Sequence, residues 1–195
     1  MASQITASNV HSRNRQTVKP LTSWHAGPVL PDRQLRIQHD GEILVKGLSL
    51  FCGYVRGKHV DPARDQQGWF HTSDLGFLDD QGNLHIQGRK DNRLVSGGEN
   101  IQAEEIEHAL LQHPFVQHAV VVAKPCKQFG QRPVAFIKMV NAAALEPHQL
   151  RQHLEQRIAR FKIPDTFLPW PQQIPCNMLK PPRAWLQSSF LKNIQ

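Results

Sequence analysis

The hydrophobic pattern changes character near residue 90, and that change restricts the fold more than any other feature of the chain. Before it, short strand-like runs alternate with turn residues. Gly41-Glu-Ile-Leu-Val-Lys-Gly47 reads as a strand, with Asp40-Gly41 as its turn signal. Leu75–Leu78 and Leu84–Gln87 flank Asp79-Asp-Gln-Gly-Asn83, which reads as a hairpin with a somewhat long loop. Residues 1–33 are polar, rich in Arg, His and Pro, and are expected to be loop. From Gln102 onward helical and strand patterns alternate. Glu104, Glu105 and Glu107 crowd a first helical turn, where the helix dipole favours anions. Ile106 and Leu110 fall one turn apart, and Pro114 ends the segment. Val116–Ala123 reads as a buried strand and Val134–Val140 as a second. Pro147 suits a first helical position, followed by a Leu150, Leu154, Ile158 stripe that reads as core packing. The expected class is α+β: a β-rich stretch over residues 1–90, then a small α+β unit over 91–195.

Composition matters mainly for what it excludes. With 195 residues, 39% hydrophobic and 20% charged, the chain has the makeup of a globular protein. Its longest apolar run, Ala119–Ala123, is far short of a membrane span. The N-terminal residues lack the basic leader and apolar core of a signal peptide. Cys52, Cys126 and Cys176 are scattered and odd in number, so neither a disulfide framework nor a zinc site is expected, and a reducing cytoplasm is. Residues 1–88 carry 9 Lys/Arg against 8 Asp/Glu, and residues 89–195 carry 14 against 8. The basic second half suits an anionic ligand or a merely solvated surface. Dispersed cations without interleaved aromatics argue against nucleic acid.

The chain lacks GxxxxGK[ST], GxGxxG and GxSxG; Gly53-Tyr-Val-Arg-Gly-Lys58-His is one residue short of a phosphate loop and lacks its hydroxyl. The 11 histidines form no HExxH, and the His108/His113 and His148/His153 pairs are off-register for one helical face, so no metal site is expected.

Three segments stand out. In Gly68-Trp-Phe-His-Thr-Ser-Asp74-Leu-Gly76, the bland reading has Trp69 and Phe70 anchoring a strand and Asp74 capping a turn. In Gly88-Arg-Lys-Asp-Asn-Arg-Leu-Val-Ser-Gly-Gly-Glu-Asn-Ile-Gln-Ala-Glu-Glu-Ile-Glu107, Gly97-Gly98 is on the same terms a tight loop before a helix. In Asn177-Met-Leu-Lys180-Pro-Pro-Arg183, Lys180 is a solvated lysine in a proline-rich tail.

In this order and spacing, the three segments resemble the late motifs of the AMP-forming acyl-CoA synthetase and adenylation superfamily. Gly41–Gly47 followed by Gly53-Tyr54 resembles the motif that precedes them. The wording Ser96–Glu107, Gln128–Pro133 and Arg160–Pro164 is most similar to the o-succinylbenzoate–CoA ligases of menaquinone biosynthesis. The resemblance implies an ATP-dependent ligase that joins a small carboxylic acid to AMP, releasing pyrophosphate, and then to the coenzyme A thiol, releasing AMP. It implies ATP with magnesium, held mainly by another domain, and coenzyme A. It assigns Asp74 to the ribose hydroxyls, Arg89 to nucleotide oxygens, and Lys180 to adenylation, bridging substrate carboxylate and α-phosphate. Asp91 matches the hinge of the small C-terminal domain, and Gly97, Gly98 and Glu99 match the loop lining the coenzyme A channel.

The family's Thr-Gly-Asp stands here as Thr72-Ser73-Asp74, and two prolines follow Lys180. The superfamily's phosphate-binding segment and Thr-Glu motif do not occur in this sequence, and Met1-Ala-Ser resembles wording that follows the Thr-Glu pair. Residues 1–90 are therefore expected to be the tail of a large adenylation domain and 91–195 its mobile C-terminal domain. The isolated chain is not expected to form an acyl-adenylate. Two readings follow: the C-terminal portion of a ligase, or a non-catalytic nucleotide- or coenzyme A-binding module, such as one half of a split enzyme.

Overall fold

The computed structural model describes residues 24–142, 144–172 and 181–190. In chain order its first part holds β1 (Trp24–Pro28), β2 (Arg33–Ile37), β3 (Glu42–Gly47), β4 (Gly53–Arg56), β5 (His59–Pro62), β6 (Phe70–Leu78) and β7 (Asn83–Arg89). Five of these form an antiparallel sheet in the order β1-β7-β6-β3-β2, while β4 and β5 pair as a separate hairpin. A 3₁₀ turn at Lys90–Asn92 then leads to β8 (Arg93–Ser96), β9 (Glu99–Gln102), α1 (Ala103–Leu111), β10 (Val116–Cys126), β11 (Gly130–Met139), α2 (Pro147–Glu155), β12 (Thr166–Pro169) and α3 (Arg183–Phe190). The second sheet runs β10-β11-β8-β9, with β12 parallel to β11. This is α+β, as expected, with a change of sheet at Lys90–Asn92.

The apolar run in β10 is continuous because both faces of its sheet are covered. Ala119 and Val121 face a core built with Ile106 and Leu110 of α1 and Leu150 and Leu154 of α2. Val120 and Val122 face the opposite way, against Phe136 and Leu186 of α3. Strand alternation thus places successive residues in two different cores. The helix ends follow their local chemistry. Glu104 and Glu105 occupy the first turn of α1, which stops at Leu111 before Pro114. Pro147 opens α2, where its missing N–H costs nothing. The stripe holds at Leu150 and Leu154, but α2 ends at Glu155, so Ile158 joins the core from the segment beyond it.

Burial is lopsided. Of the 23 buried apolar residues among those described, only Ile43, Leu44 and Leu75 precede the Lys90–Asn92 turn. Leu48, just after β3, and Tyr54, Val55 and Val60 of the β4–β5 hairpin are exposed.

The structure departs from the sequence reading at several short strands. Trp24–Pro28 lies in the segment expected to be loop, yet it pairs as an edge strand with β7, with a register shift between His25 and Gly27. Every side chain of β5 is exposed, so nothing in its composition marks it as a strand. Gly97-Gly98 is the two-residue turn of the β8–β9 hairpin, and β9 intervenes before the helix.

Candidate functional site

The proposed nucleotide residues come together on the β6–β7 ladder. Asp74 and Arg89 are cross-strand partners, and Arg89 Nη1 donates to Asp74 Oδ1 at 3.2 Å and to the Thr72 carbonyl at 3.2 Å. Its Nη2 lies 3.5 Å from the Asp91 carboxylate. The guanidinium therefore spans the ribose candidate and the hinge candidate. Both Asp74 and Arg89 are half-exposed, and Asp74 Oδ2 has no protein partner among the described residues. A carboxylate fixed at one oxygen and open at the other can accept from a diol, beside a cation suited to phosphate or ribose oxygens.

Beneath this pair lies a polar hub that sequence reasoning did not assign. Glu42, 5% exposed, accepts the Ser73 amide at 3.1 Å and the Lys90 ammonium at 3.1 Å. Lys90 also donates to Asp40 at 2.7 Å. Burial pushes the Glu42 carboxyl up, but the bonds from Lys90 and Ser73 outweigh it and hold it below the usual carboxylate range. The Asp40 bond, followed by the Glu42 bond, holds Lys90 above its usual value. Ser73 sits at φ 59, in the left-handed region. This explains the glycine customary at that position: the turn presenting Asp74 needs a conformation that L side chains resist. The Ser73 N–H to Glu42, and an Asp74 N–H to Thr72 Oγ1 bond at 3.0 Å, hold it there.

The Lys90–Asn92 turn joins the two sheets. Asp91 is its most exposed carboxylate, with 75% of the side chain in solvent. On the far side of the turn, Asn92 donates to Glu104 at the start of α1, and Arg93 reaches back to the Asp40 carbonyl at 3.3 Å. Gln102 donates to the Arg89 carbonyl at 2.7 Å.

Gly97 and Gly98 adopt φ 59 and 84, the pair of positive values that a two-residue hairpin turn of this twist requires. The Gly97 N–H donates to the Phe129 carbonyl at 2.9 Å, and a Cβ at Gly97 would stand 3.3 Å from the Phe129 ring. A Cβ at Gly98 would meet nothing within 4 Å, so that tip faces open space beside exposed Glu99. Arg132 binds this corner together. It donates to Ser96 Oγ at 3.2 Å, to the carbonyls of Phe161 and Ile163 at 2.7 and 3.1 Å, and to both oxygens of Asp165. The Gln128–Pro133 and Arg160–Pro164 stretches, remote in sequence, thus meet at the Ser96–Gly98 turn.

Lys180 lies outside the described residues, as does Cys176; Cys52 and Cys126 are free thiols. The two prolines after Lys180 lead into α3, with the Leu186 N–H bonded to the Pro182 carbonyl at 3.1 Å. Arg183, three residues after Lys180, donates to Glu107 at 2.7 Å, to Glu104 at 3.3 Å and to the Val121 carbonyl at 3.2 Å. The sequence signal for it was the last letter of the lysine motif. Its role as an anchor became visible only through α1.

The chain is also similar to known proteins. Residues 105–176 match the model of the AMP-binding enzyme C-terminal domain. The chain is 39% identical over 139 residues to the 2-succinylbenzoate–CoA ligase of Listeria monocytogenes serotype 4b, covering 71% of this chain and 29% of that protein. It is 38% identical over 167 residues to the Salmonella typhimurium protein of the same name, covering 86% and 36%. Among solved structures, the o-succinylbenzoate–CoA synthetase of Bacillus subtilis in complex with its acyl-adenylate intermediate aligns with a TM-score of 0.73 and 33% identity. That alignment covers 84% of this chain and 35% of that one. ATP-bound MatB from Rhodopseudomonas palustris aligns at 0.71 and 28% identity, over 87% and 36%. The chain spans about a third of the length of these relatives. No helix among the described residues is long and apolar enough to cross a membrane. Residues 105–176 thus match an AMP-binding enzyme C-terminal domain, and the chain is similar to the C-terminal portion of 2-succinylbenzoate–CoA ligases.

Proposed function

We propose that this chain supplies the C-terminal part of an ATP-dependent, AMP-forming acid–CoA ligase acting on o-succinylbenzoate in the cytoplasm. Residues 1–90 are the end of the large adenylation domain and 91–195 the mobile C-terminal domain. In the first half-reaction the substrate carboxylate attacks the α-phosphorus of ATP and pyrophosphate leaves. In the second, the coenzyme A sulfur attacks the acyl carbonyl and AMP leaves. Asp74 accepts from the ribose hydroxyls and Arg89 holds nucleotide oxygens. Lys180 bridges the substrate carboxylate and the α-phosphate, offsetting charge as it redistributes. Asp91 is the pivot between the two half-reactions, and Gly97, Gly98 and Glu99 line the path of the coenzyme's thiol arm. Magnesium would be held with the ATP phosphates, by residues outside this chain.

The observation that carries the reading is the 3.2 Å Asp74–Arg89 pair set directly before the turn that joins the two sheets. On this reading a nucleotide clamp and a joint lie within a few residues of each other. The test is reconstitution. The chain is mixed with a separately expressed large domain bearing the phosphate-binding segment and Thr-Glu motif, and pyrophosphate exchange and thioester formation are followed. The mixture should form the thioester, Lys180→Ala should abolish adenylation, and the chain alone should show neither step. Binding of coenzyme A without any restored activity would instead favour a non-catalytic module. Exchange by the chain alone would overturn the division of labour between the two domains.

A further inference from the structure

His25 lies 54 residues before Asp79 and Asp79 six before His85, a spacing that matches no metal motif. Strand pairing brings them together. His25 on β1 and His85 on β7 are cross-strand register partners, with ring centroids 5.1 Å apart. Asp79 opens the β6–β7 loop, and its Oδ2 lies 2.9 Å from His85 Nε2. One ligand atom from each of the three falls within 4.8 Å of the others. This cluster is at the turn end of the ladder whose other end holds Asp74 and Arg89.

From this geometry we infer a binding site for a zinc-class divalent transition metal, with His25, Asp79 and His85 as its protein ligands. Two ligands about 2.0–2.2 Å from one tetrahedral ion stand about 3.3–3.6 Å apart. The Asp79–His85 pair, hydrogen-bonded at 2.9 Å, needs to open by only about half an ångström to admit an ion between them. His25 is exposed at the sheet edge, so its ring has room to close the remaining gap. Two imidazoles and one carboxylate suit zinc, cobalt or nickel; magnesium and calcium prefer all-oxygen shells.

The surroundings orient the set as supporting shells of metal sites do. Asp79 Oδ1 accepts the backbone N–H groups of Gln81 and Asn83 at 3.0 and 2.8 Å, and Oδ2 accepts Asn83 Nδ2 at 3.1 Å. His85 stacks on Phe77 at 4.9 Å with the rings 6° from parallel. With three protein ligands, one position remains for water or an external donor. An ion here would tie the edge strand β1 to the β6–β7 hairpin, so its binding would stabilise the first sheet.

The test uses the 195-residue chain and zinc itself, in competition with a chromophoric chelator, with cobalt absorption as a second readout. One zinc per chain should bind, cobalt should give the intense visible bands of a tetrahedral site, and zinc should raise Tm. His25→Ala, which removes an exposed side chain, should weaken zinc binding roughly tenfold or more and cancel the Tm rise. Asp79→Asn should do the same, while His59→Ala on β5 should behave as wild type. A wild-type affinity no tighter than that of His25→Ala would overturn the site. So would an affinity that His59→Ala lowers equally, because binding would then be a property of scattered surface histidines.

Discussion

Ser73 shows how one residue can carry a strain that its neighbours compensate. Its φ of 59 lies where a Cβ costs about 1–2 kcal/mol, against an entropic penalty for glycine of about 0.5–1 kcal/mol. The difference favours glycine, so Ser73→Gly should raise stability by about 0.5 kcal/mol, read as an upward shift of the urea midpoint. A lower midpoint would mean that the serine side chain contributes more than the strain costs. His113 makes a second case. Burial first, then the nearby charges of His153 and Arg157, holds its pKa below the ordinary 6.5. Between that lowered value and 6.5 the unfolded chain binds more protons than the folded one, so stability rises with pH there and is lost on acidification. Tm should therefore fall as the pH is lowered from neutral through 6.5, and His113→Gln should reduce the fall. The depressed carboxyls of Asp40 and Glu42 act in a separate window, since their contribution is present above their ordinary 3.8 and 4.5 and is lost only as pH drops below those values. Asp74, Arg89 and Asp91 could be named from their motifs. Glu42 as a buried hub, and Lys90 as its partner, could not, because a buried charge is recognisable only once the strands around it are paired.

At the scale of the element, legibility follows burial. β3, β10, β11, α1 and α2 each bury a face or two, so selection for apolar residues left a period to read. β1, β5 and β9 are short and mostly solvent-facing, and their existence rests on backbone pairing that any side chain permits. α3 was missed for another reason. Among its described side chains only Leu186 is fully buried, and its position depends on Arg183 gripping α1 and β10. Glu107 is itself 5% exposed and also accepts the Val121 N–H at 2.8 Å, so removing the guanidinium strips a nearly buried carboxylate of a cationic partner. Arg183→Ala should cost about 2 kcal/mol in urea unfolding and loosen the seating of α3. Arg183→Lys should recover only part, since an ammonium cannot serve Glu107 and the Val121 carbonyl in the same fork geometry. An unchanged midpoint for Arg183→Ala would mean that the leucine alone seats the helix.

At the scale of the whole molecule, the two sheets differ in how complete they are. Twenty of the 23 buried apolar residues among those described lie beyond the Lys90–Asn92 turn, where helices cover both faces of the second sheet. A chain of residues 91–195 should therefore unfold in a single cooperative transition by circular dichroism, with a Tm close to the corresponding transition of the full chain. Failure of that shorter chain to fold would show that the first sheet supplies packing not evident in its burial.

The turn at Lys90–Asn92 also bears on inheritance. The bonds that cross it, such as Arg93 to the Asp40 carbonyl and Gln102 to the Arg89 carbonyl, are polar and few, and neither core straddles it. A genetic crossover at this point would divide no hydrophobic packing, so its descendants could exchange everything downstream as a finished cassette. The upstream strands would have to travel with whatever covers them.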